Sequence, residues 1–253
     1  MASNYITLKI DGARATIALN RPDQHNKLGV EELDTLVATL DHVENLPDCR
    51  VLVLTGTGSK TFCSGFDIDQ ISTTDWTLDP FERAVTRLEQ LPIPTICAFN
   101  GSVYGGGTEL ALACDFRIGL KGMRLHLPAA EIGVHYGVKG LHRFYSRLGL
   151  GAAKRILLAA ERIGSEELLL IGYLDLLVES ENLYDETDKL AQRLTTLAPL
   201  AVRGMKQALN RIAHGNLDES AAQKTIAQCF ASADLSEGIA AKSEKRAPKF
   251  IGR

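Results

Sequence analysis

The sequence has no long apolar run and no strong excess of charge of either sign. Its formal net charge is -3 over 253 residues, and the densest basic cluster, residues 242–249, lies at the very end. Proteins that bind nucleic acid or anionic membranes through charge usually carry a basic patch or stripe. No apolar stretch reaches the length that spans a bilayer. We therefore expect neither nucleic acid nor a membrane as a partner.

Cysteine is scarce, and its spacing suggests no pairing. The five cysteines include no Cys-x-x-Cys pair, and no cysteine–histidine cluster has the spacing of a zinc site. An odd number of cysteines suits a reducing compartment. The polar, strand-like residues 1–7 lack the pattern of a signal peptide. The sequence thus predicts a cytoplasmic protein without a metal site.

Hydrophobic residues make up 45% of the chain, enough to bury a substantial core. In the first half, short apolar and β-branched runs alternate with helical patterns, which is typical of parallel βαβ units. Residues 51–55 and 95–99 are apolar almost throughout, the pattern of strands buried on both faces. Asp11-Gly12 predicts a hairpin turn. The predicted strands are residues 5–10, 13–19, 51–55, 95–99, 116–119 and 125–127.

The second half is predicted to be almost entirely helical. Pro199 suits the first turn of a helix, where the missing N–H would have no partner anyway. The chain is expected to divide into an α/β core, residues 1–197, and a helical region, residues 198–253. The polar stretch 72–79 is the predicted mobile loop. The predicted helices are residues 30–43, 81–91, 151–160, 165–171, 184–197, 199–213, 217–230 and 234–245.

Two turns that contain glycine follow predicted strands, at residues 55–67 and 100–109. In the second turn, the three glycines at 105–107 precede the helix-forming residues 110–113. Such glycines either serve a tight turn or let the backbone approach a ligand, with the helix start facing negative charge. The spacing fits neither a P-loop nor a dinucleotide fingerprint. Glu109 either complements the helix dipole or acts as an acid/base group there.

Taken in order along the chain, several motifs resemble the enoyl-CoA hydratase/isomerase family, also called the crotonase superfamily. The matching stretches are residues 19–22, 26–28, 62–68, 100–110, 114–118, 128–133, 172–175, 198–201 and 237–250. The resemblance implies an α/β fold, a crotonase-like spiral of ββα units with a helical C-terminal region. It implies an acyl-CoA substrate, no separate cofactor, and a homotrimer or a dimer of trimers. The acyl-CoA site would lie in residues 1–197, with trimerisation and CoA capping in 198–253.

The resemblance also assigns residues to roles. In the family, two backbone N–H groups hold the thioester oxygen and stabilise an enolate-like state, and by motif these belong to Phe66 and Gly106. Glu109 takes the position of a catalytic acid/base. Lys245 is equally well explained as a solvated surface lysine. The implied contacts to substrate or CoA are Asn26, Lys27 and Leu28 on the adenine side, with Ser64, Asp67, Ile68, Asp69, Gly105, Ala129, Tyr136, Lys245 and Phe250.

The sequence departs from the family pattern at several positions. Phe66 stands where a small residue is common, Asp69 where a basic residue is frequent, and Lys242 where an aromatic is common. The departure that bears most on catalysis follows Pro128. Typical hydratases carry a second glutamate directly after the proline that corresponds to Pro128, and here that residue is Ala129, which cannot transfer a proton. Glu131 stands two places later, and on a helix it would point elsewhere, so we expect a surface acid. The groups that bracket the gap, each of which could equally be a core or surface residue, are His126, His135 and Tyr136.

Three functions remain open from the sequence. The first is an enoyl-CoA hydratase or close relative that uses Glu109 as its acid/base. The second is a double-bond isomerase, or a decarboxylase or C–C hydrolase relative, which needs only one such acid or mainly the oxyanion site. The third is a non-catalytic acyl-CoA binding protein. The glycines at 105–107 and Glu109 argue against the third, since a protein without activity need not keep the acid.

Overall fold

In the computed structural model, which describes residues 4–253, the strands form two sheets. The strands are β1 (Ile6–Asp11), β2 (Arg14–Leu19), β3 (Val51–Gly56), β4 (Thr61–Cys63), β5 (Thr95–Ala98), β6 (Ser102–Tyr104), β7 (Phe116–Leu120), β8 (Arg124–His126), β9 (Ile163–Gly164) and β10 (Leu176–Val178). The helices are α1 (Val30–Glu44), α2 (Pro80–Glu89), α3 (Gly106–Leu112), α4 (Val138–Leu157), α5 (Ser165–Leu170), α6 (Leu183–Thr195), α7 (Pro199–Ala213), α8 (Glu219–Phe230) and α9 (Ala233–Ser243).

Three successive ββα units form a spiral: β3-β4-α2, β5-β6-α3 and β7-β8-α4. The first strand of each unit joins a six-stranded sheet of order β1-β2-β3-β5-β7-β10, and the second joins a four-stranded sheet of order β4-β6-β8-β9. Strands β4, β6 and β8 run parallel to one another. Since parallel strands end at the same edge, the turns that follow β4 and β6 lie side by side. The predicted α/β spiral is confirmed.

Strand β3 shows how the core is divided. All six of its residues are buried, and because side chains alternate across a strand, Val51 and Val53 face one apolar cluster while Leu52 and Leu54 face another. The first cluster includes Leu194 of α6; the second is the main core of the spiral. Burying each such side chain stabilises the fold by about 1.5–3 kcal/mol. Burial on both faces confirms the interpretation of this apolar run.

For most strands and helices that were predicted from the sequence, the observed boundaries lie within two residues of the predicted ones. The hairpin is present: Asp11 pairs with Arg14, and Gly12 adopts a positive φ of 56° in the turn between them. Residues 72–79 form a succession of turns, and their mobility stays a prediction. The division at residue 197 also stays a prediction, although α6 and α7 do meet there, on either side of residues 196–198.

The main error of the sequence analysis lies in α4. A helix was predicted only for residues 151–160, whereas α4 begins at Val138 and is interrupted at Gly149, whose φ of 75° and ψ of 167° are not helical. Its first half has apolar residues at helical spacing, Leu141, Phe144 and Leu148, but the glycines around them weaken the helical signal. The strands β4, β6, β9 and β10 were also missed, since two or three residues show too little alternation.

Candidate active site

Two backbone turns, one after β4 and one before α3, pack directly against each other. A Cβ atom built on Gly65 would lie 2.4 Å from the backbone nitrogen of Gly106, and one on Gly107 would lie 2.7 Å from the carbonyl oxygen of Cys63. Gly65 also has a φ of +91°, a conformation that other residues rarely adopt. The glycines are therefore required for the close approach of the two turns.

This approach brings together two turns that each carry an unused backbone donor. Within residues 4–253, neither the N–H of Phe66 nor that of Gly106 donates a hydrogen bond. Gly106 opens α3, where the N–H has no partner within the helix. Beside Phe66, the bridge to Leu28 uses the Gly65 carbonyl and the Asp67 N–H instead, at 2.9 and 2.8 Å. Two free donors on touching turns can stabilise negative charge on an oxygen atom.

Glu109 lies one turn into α3 and is 2% exposed. Its Oε1 accepts a hydrogen bond from Nη1 of Arg143 at 2.5 Å, whereas its Oε2 accepts none from the described residues. A Cβ atom on Gly140 of α4 would lie 2.9 Å from each carboxylate oxygen. Glycine at this position therefore leaves room for the carboxylate.

Arg143 is 1% exposed and is surrounded by three carboxylates. Besides the contact to Glu109, its Nη2 donates to Glu82 at 2.8 Å and to Thr86 at 2.9 Å, and its Nε donates to Glu89 at 3.2 Å. Burying one cation with three potential anions leaves an excess of negative charge if all three are ionised. Such an excess is costly away from water, so it favours retention of a proton.

Among these carboxyl groups, Glu109 is the one with a raised pKa. Burial raises the pKa of its carboxyl group to about 7, because it outweighs the lowering by Arg143 and is reinforced by the charge of Glu82. Burial also acts to raise the pKa of Glu82, but hydrogen bonds from Arg143 and Thr86 outweigh it, and that pKa lies below its ordinary value. A carboxyl group that titrates near neutrality can both accept and return a proton.

Tyr136 lies beside this carboxylate. The Cβ atom that would touch Glu109 from Gly140 would also lie 2.8 Å from Cδ1 of Tyr136, so the ring and the carboxylate are neighbours. The Tyr136 hydroxyl is buried and has no hydrogen-bond partner among the described residues. Burial, with a smaller contribution from Glu109, raises the pKa of this phenol well above 10, so it stays protonated. The hydroxyl thus lacks a partner at hydrogen-bonding geometry, although the Thr108 side chain is near enough to act to lower the same pKa.

Aromatic side chains pack beside the two turns. A Cβ atom on Gly106 would lie 2.6 Å from Cζ of Phe81, so this ring from α2 sits directly over the Gly106 backbone. Phe66 packs against Trp76, with ring centroids 5.1 Å apart. Sequence reasoning missed both Phe81 and Arg143. Although Phe81 was placed in a helix, nothing in the sequence indicates that α2 lies over the start of α3.

The structure brings residues 26–28 next to residues 64–69. Nζ of Lys27 lies 2.8 Å from Asp67 and 3.7 Å from Asp69. The Asp67 side chain is buried, whereas Asp69 and Ile68 are exposed. Exposed groups beside a paired lysine can meet a polar ligand, and the contacts of these residues with CoA stay predictions.

The side chains of Asn26 and Leu28 make their contacts within the protein. The Asn26 side chain is buried, accepts from the N–H of Arg21 at 2.9 Å, and donates to the carbonyls of Thr57 and Thr61 at 3.0 and 2.9 Å. The side chain of Leu28 belongs to the main apolar core. Their N–H groups also donate hydrogen bonds within the protein, to the carbonyls of Arg21 and Gly65, so neither residue offers a ligand an unused side chain or N–H group.

Other predicted residues lie elsewhere. Within one chain, no hydrogen bond or ion pair among the described residues joins Lys245 or Phe250 to Glu109. The Phe250 carbonyl instead accepts a hydrogen bond from Arg50 at 2.6 Å, and its ring lines a cavity of about 310 Å³ between α7 and α9. Lys245 is exposed. Their contact with a CoA bound to the same or a neighbouring subunit stays a prediction.

Around the missing second glutamate, Ala129 is buried against the main core. Glu131 lies at the surface, with 52% of its side chain exposed, 3.4 Å from Nε2 of His126. His135 is also exposed. Glu131 therefore does not point into the site, as expected from its spacing. Ser64 and Gly105 belong to the paired turns, where a Cβ atom on Gly105 would lie 3.0 Å from the Ser64 carbonyl.

Within residues 4–253, no group of three histidine, cysteine, aspartate or glutamate side chains is arranged to hold a metal ion. The one cluster of three glutamates is occupied by Arg143. Over the same residues, no helix is both long and apolar enough to cross a membrane. The predicted cellular compartment is not tested by these observations.

The family model for enoyl-CoA hydratase/isomerase matches residues 9–253. This chain belongs to that family. It is 31% identical to the short-chain-enoyl-CoA hydratase of Clostridium acetobutylicum, with 97% of each chain covered, and 33% identical to the crotonyl-CoA hydratase of Syntrophomonas wolfei, with 100% of each covered. The structure resembles the enoyl-CoA hydratase of Bacillus anthracis with a TM-score of 0.89 at 30% identity, covering 98% of this chain and 100% of the other.

Proposed function

We propose that this member of the enoyl-CoA hydratase/isomerase family moves a proton at the α carbon of an enoyl-CoA thioester, with Oε2 of Glu109 as the proton acceptor. The observation that carries the proposal is an unpaired carboxylate oxygen, on a group with a pKa of about 7, one helical turn from the free N–H of Gly106. The acceptor of the proton and the donors for the resulting negative charge are thus held by adjacent backbone.

The proposed reaction begins when the thioester oxygen accepts hydrogen bonds from Phe66 and Gly106. Glu109 removes the α proton, and the electron pair moves into the thioester, which becomes an enolate with its charge on that oxygen. Preorganised donors stabilise this charge without reorganising, and one such donor contributes on the order of a hundredfold in rate. The ring of Phe81 packs on the Gly106 backbone, and an apolar neighbour lowers the local dielectric, which strengthens such a hydrogen bond.

Among family reactions, isomerisation of a 3-enoyl to a 2-enoyl thioester fits one carboxylate best. Glu109 takes a proton from the α carbon of the 3-enoyl thioester and returns it to the γ carbon, so atoms and charge balance without a second acid. Ala129 carries no titratable group, and Glu131 is at the surface. Hydration is the second candidate, favoured by the names of the two bacterial relatives and by the free Tyr136 hydroxyl, a second O–H donor. Neither reaction transfers electrons, so neither needs a resident cofactor.

In this proposal the CoA moiety lies along residues 26–28 and 64–69, and the acyl chain extends past Ala129 and Tyr136. The helical C-terminal region joins copies of this chain into a trimer or a dimer of trimers. Large apolar side chains exposed on α7–α9 support this association, namely Met205, Leu209, Ile212, Ile226, Phe230 and Ile239. Lys245 and Phe250 would then reach a CoA bound to a neighbouring subunit. Sedimentation of the purified protein would measure the number of subunits.

The test compares two substrates in the wild-type protein and the Glu109→Gln variant. Isomerisation of a 3-enoyl-CoA produces the absorbance of a conjugated enoyl thioester, whereas hydration of crotonyl-CoA removes it. We expect formation of the conjugated product, slowed about 10²- to 10⁴-fold in the variant. Loss of crotonyl-CoA absorbance would instead identify hydration. Unchanged turnover in Glu109→Gln, or stabilisation by CoA thioesters without any turnover, would contradict the proposal.

A further inference from the structure

The contacts of Arg143 use every part of its guanidinium group. Nη1 points to Glu109, Nη2 to Glu82 and Thr86, and Nε to Glu89, so each nitrogen has at least one acceptor. A guanidinium group is planar and rigid, and several simultaneous hydrogen bonds fix its orientation. The Glu109 carboxylate is therefore held by a cation that cannot turn without breaking bonds to α2.

We propose that Arg143 is a positioning residue that holds Glu109 by Oε1, directs Oε2 toward the substrate, and, by sharing its charge with Glu82 and Glu89, sets how readily Glu109 releases its proton. This inference deepens the proposed function, because it rests on Glu109 as the proton-transfer group. It adds residues from α2 and α4 that the sequence motifs did not include.

The charged groups around Glu109 come from several elements. Glu82 and Glu89 lie on α2, Arg143 lies on α4, and Asp79 caps the start of α2, where its charge also acts to raise the pKa of Glu109. Two further groups act on these carboxylates rather than on Glu109 itself. Lys139 acts to lower the pKa of Glu82. His214, at the end of α7, lies 3.0 Å from Glu89 and stacks on His142. Tyr136, from the segment before α4, is a neutral phenol beside the carboxylate.

Glu82 and Arg143 have opposite effects on the ionisation of Glu109. Glu82 raises the pKa of Glu109 and Arg143 lowers it, so removing each charge must move the titration of Glu109 in opposite directions. In Glu82→Gln, the Glu109 midpoint falls by on the order of one pH unit. In Arg143→Met it rises by about one to three pH units. A purely structural role for Arg143 would lower thermal stability without producing this pair of opposite shifts.

The midpoint is measured on the ligand-free protein by infrared difference spectroscopy across pH. The stretching band of the protonated Glu109 carboxyl group is identified by its loss in Glu109→Gln. Glu31→Gln is the matched control, since it removes a surface charge from α1 and should leave the midpoint unchanged. Circular dichroism checks that each variant is folded. If Arg143→Met does not fold, the midpoints of Arg143→Lys and Glu82→Gln test the proposal instead. Arg143→Lys keeps the positive charge but loses the planar guanidinium geometry, so its Glu109 midpoint stays closer to that of the wild type.

The same variants are then assayed for 3-enoyl-CoA isomerisation as a function of pH. We expect the pH of half-maximal kcat/KM to follow the infrared midpoint in each variant, and kcat in Arg143→Lys to fall about tenfold or more through misplacement of Glu109. A midpoint that does not move in folded Glu82→Gln and Arg143 variants would overturn the inference. If the wild type turns over no thioester but the midpoints shift as described, the proposed function fails while the charge sharing stands.

Discussion

Arg143 donates a hydrogen bond of 2.5 Å to Glu109, and Gly140, three positions earlier on the same helix, presents its Cα to the same carboxylate. One stretch of α4 thus supplies both the cation that holds Glu109 and the space that it occupies. The proton-transfer group sits on α3, but its environment comes from α4 and α2. Four predictions follow from this arrangement and from the paired turns.

The first prediction concerns activity and pH. Because burial raises the pKa of Glu109 to about 7 and the carboxylate form accepts the proton, kcat/KM should be half-maximal near pH 7 and level above it. Below that pH the rate should fall about tenfold per pH unit. Initial rates with a 3-enoyl-CoA between pH 5 and pH 9 measure this. A profile flat down to about pH 5 would mean that Glu109 ionises like an exposed glutamate.

The second prediction concerns stability and pH. The pKa of Glu109 is raised in the native state, so between about pH 4.5 and pH 7 the folded protein keeps a proton that the unfolded chain has lost. Its contribution to stability is present below about pH 4.5 and is lost as the pH rises through 7. Glu109→Gln stays neutral throughout. The free energy of unfolding of the variant should therefore gain about 3 kcal/mol relative to the wild type across this range.

Urea unfolding of both proteins at several pH values measures this difference, in which the contributions of titrating groups that do not interact with Glu109 cancel. A difference that does not depend on pH would show that the carboxyl group is ionised throughout and that the cluster carries its full negative charge.

The third prediction concerns Gly106 and Phe81. In Gly106→Ala the new methyl group meets Cζ of Phe81 at 2.6 Å, so either the ring or the backbone N–H must move. We expect about a hundredfold loss in kcat through displacement of the donor. Phe81→Leu removes the far end of the ring, so the double variant should recover part of this loss. Steady-state rates of the four proteins form a double-mutant cycle, and additive effects would show that the ring does not press on this amide.

The fourth prediction concerns the unpaired hydroxyl of Tyr136. A buried O–H without a partner costs about 1–3 kcal/mol, so Tyr136→Phe should raise the stability of the ligand-free protein by about 1 kcal/mol. If the hydroxyl donates to the substrate, turnover should fall at the same time by about tenfold or more. Thermal unfolding and steady-state kinetics test the two parts. Higher stability with unchanged turnover would restrict Tyr136 to shaping the pocket.

The sequence indicated only part of the candidate site. The local pattern singled out the glycines at 105–107 and Glu109, but only the resemblance to the family assigned Glu109 a catalytic role. The paired turns explain the glycines, since Gly65 and Gly107 permit backbone contact that any side chain would prevent. By contrast, Asn26 was expected to meet a ligand, whereas its side chain forms three hydrogen bonds within the protein. Sequence similarity alone does not separate a residue that holds a loop from one that contacts a substrate.

The sequence by itself determined the local features of this protein. Apolar runs such as residues 51–55 specify strands buried on both faces, Pro199 marks the start of a helix, and glycines mark the turns, because these signals depend on neighbours along the chain. Only the tertiary structure decided that Arg143, 34 residues after Glu109, would share its charge with Glu82 and Glu89. The ionisation of Glu109 depends on burial and on charges from other helices, and neither is encoded in any single segment.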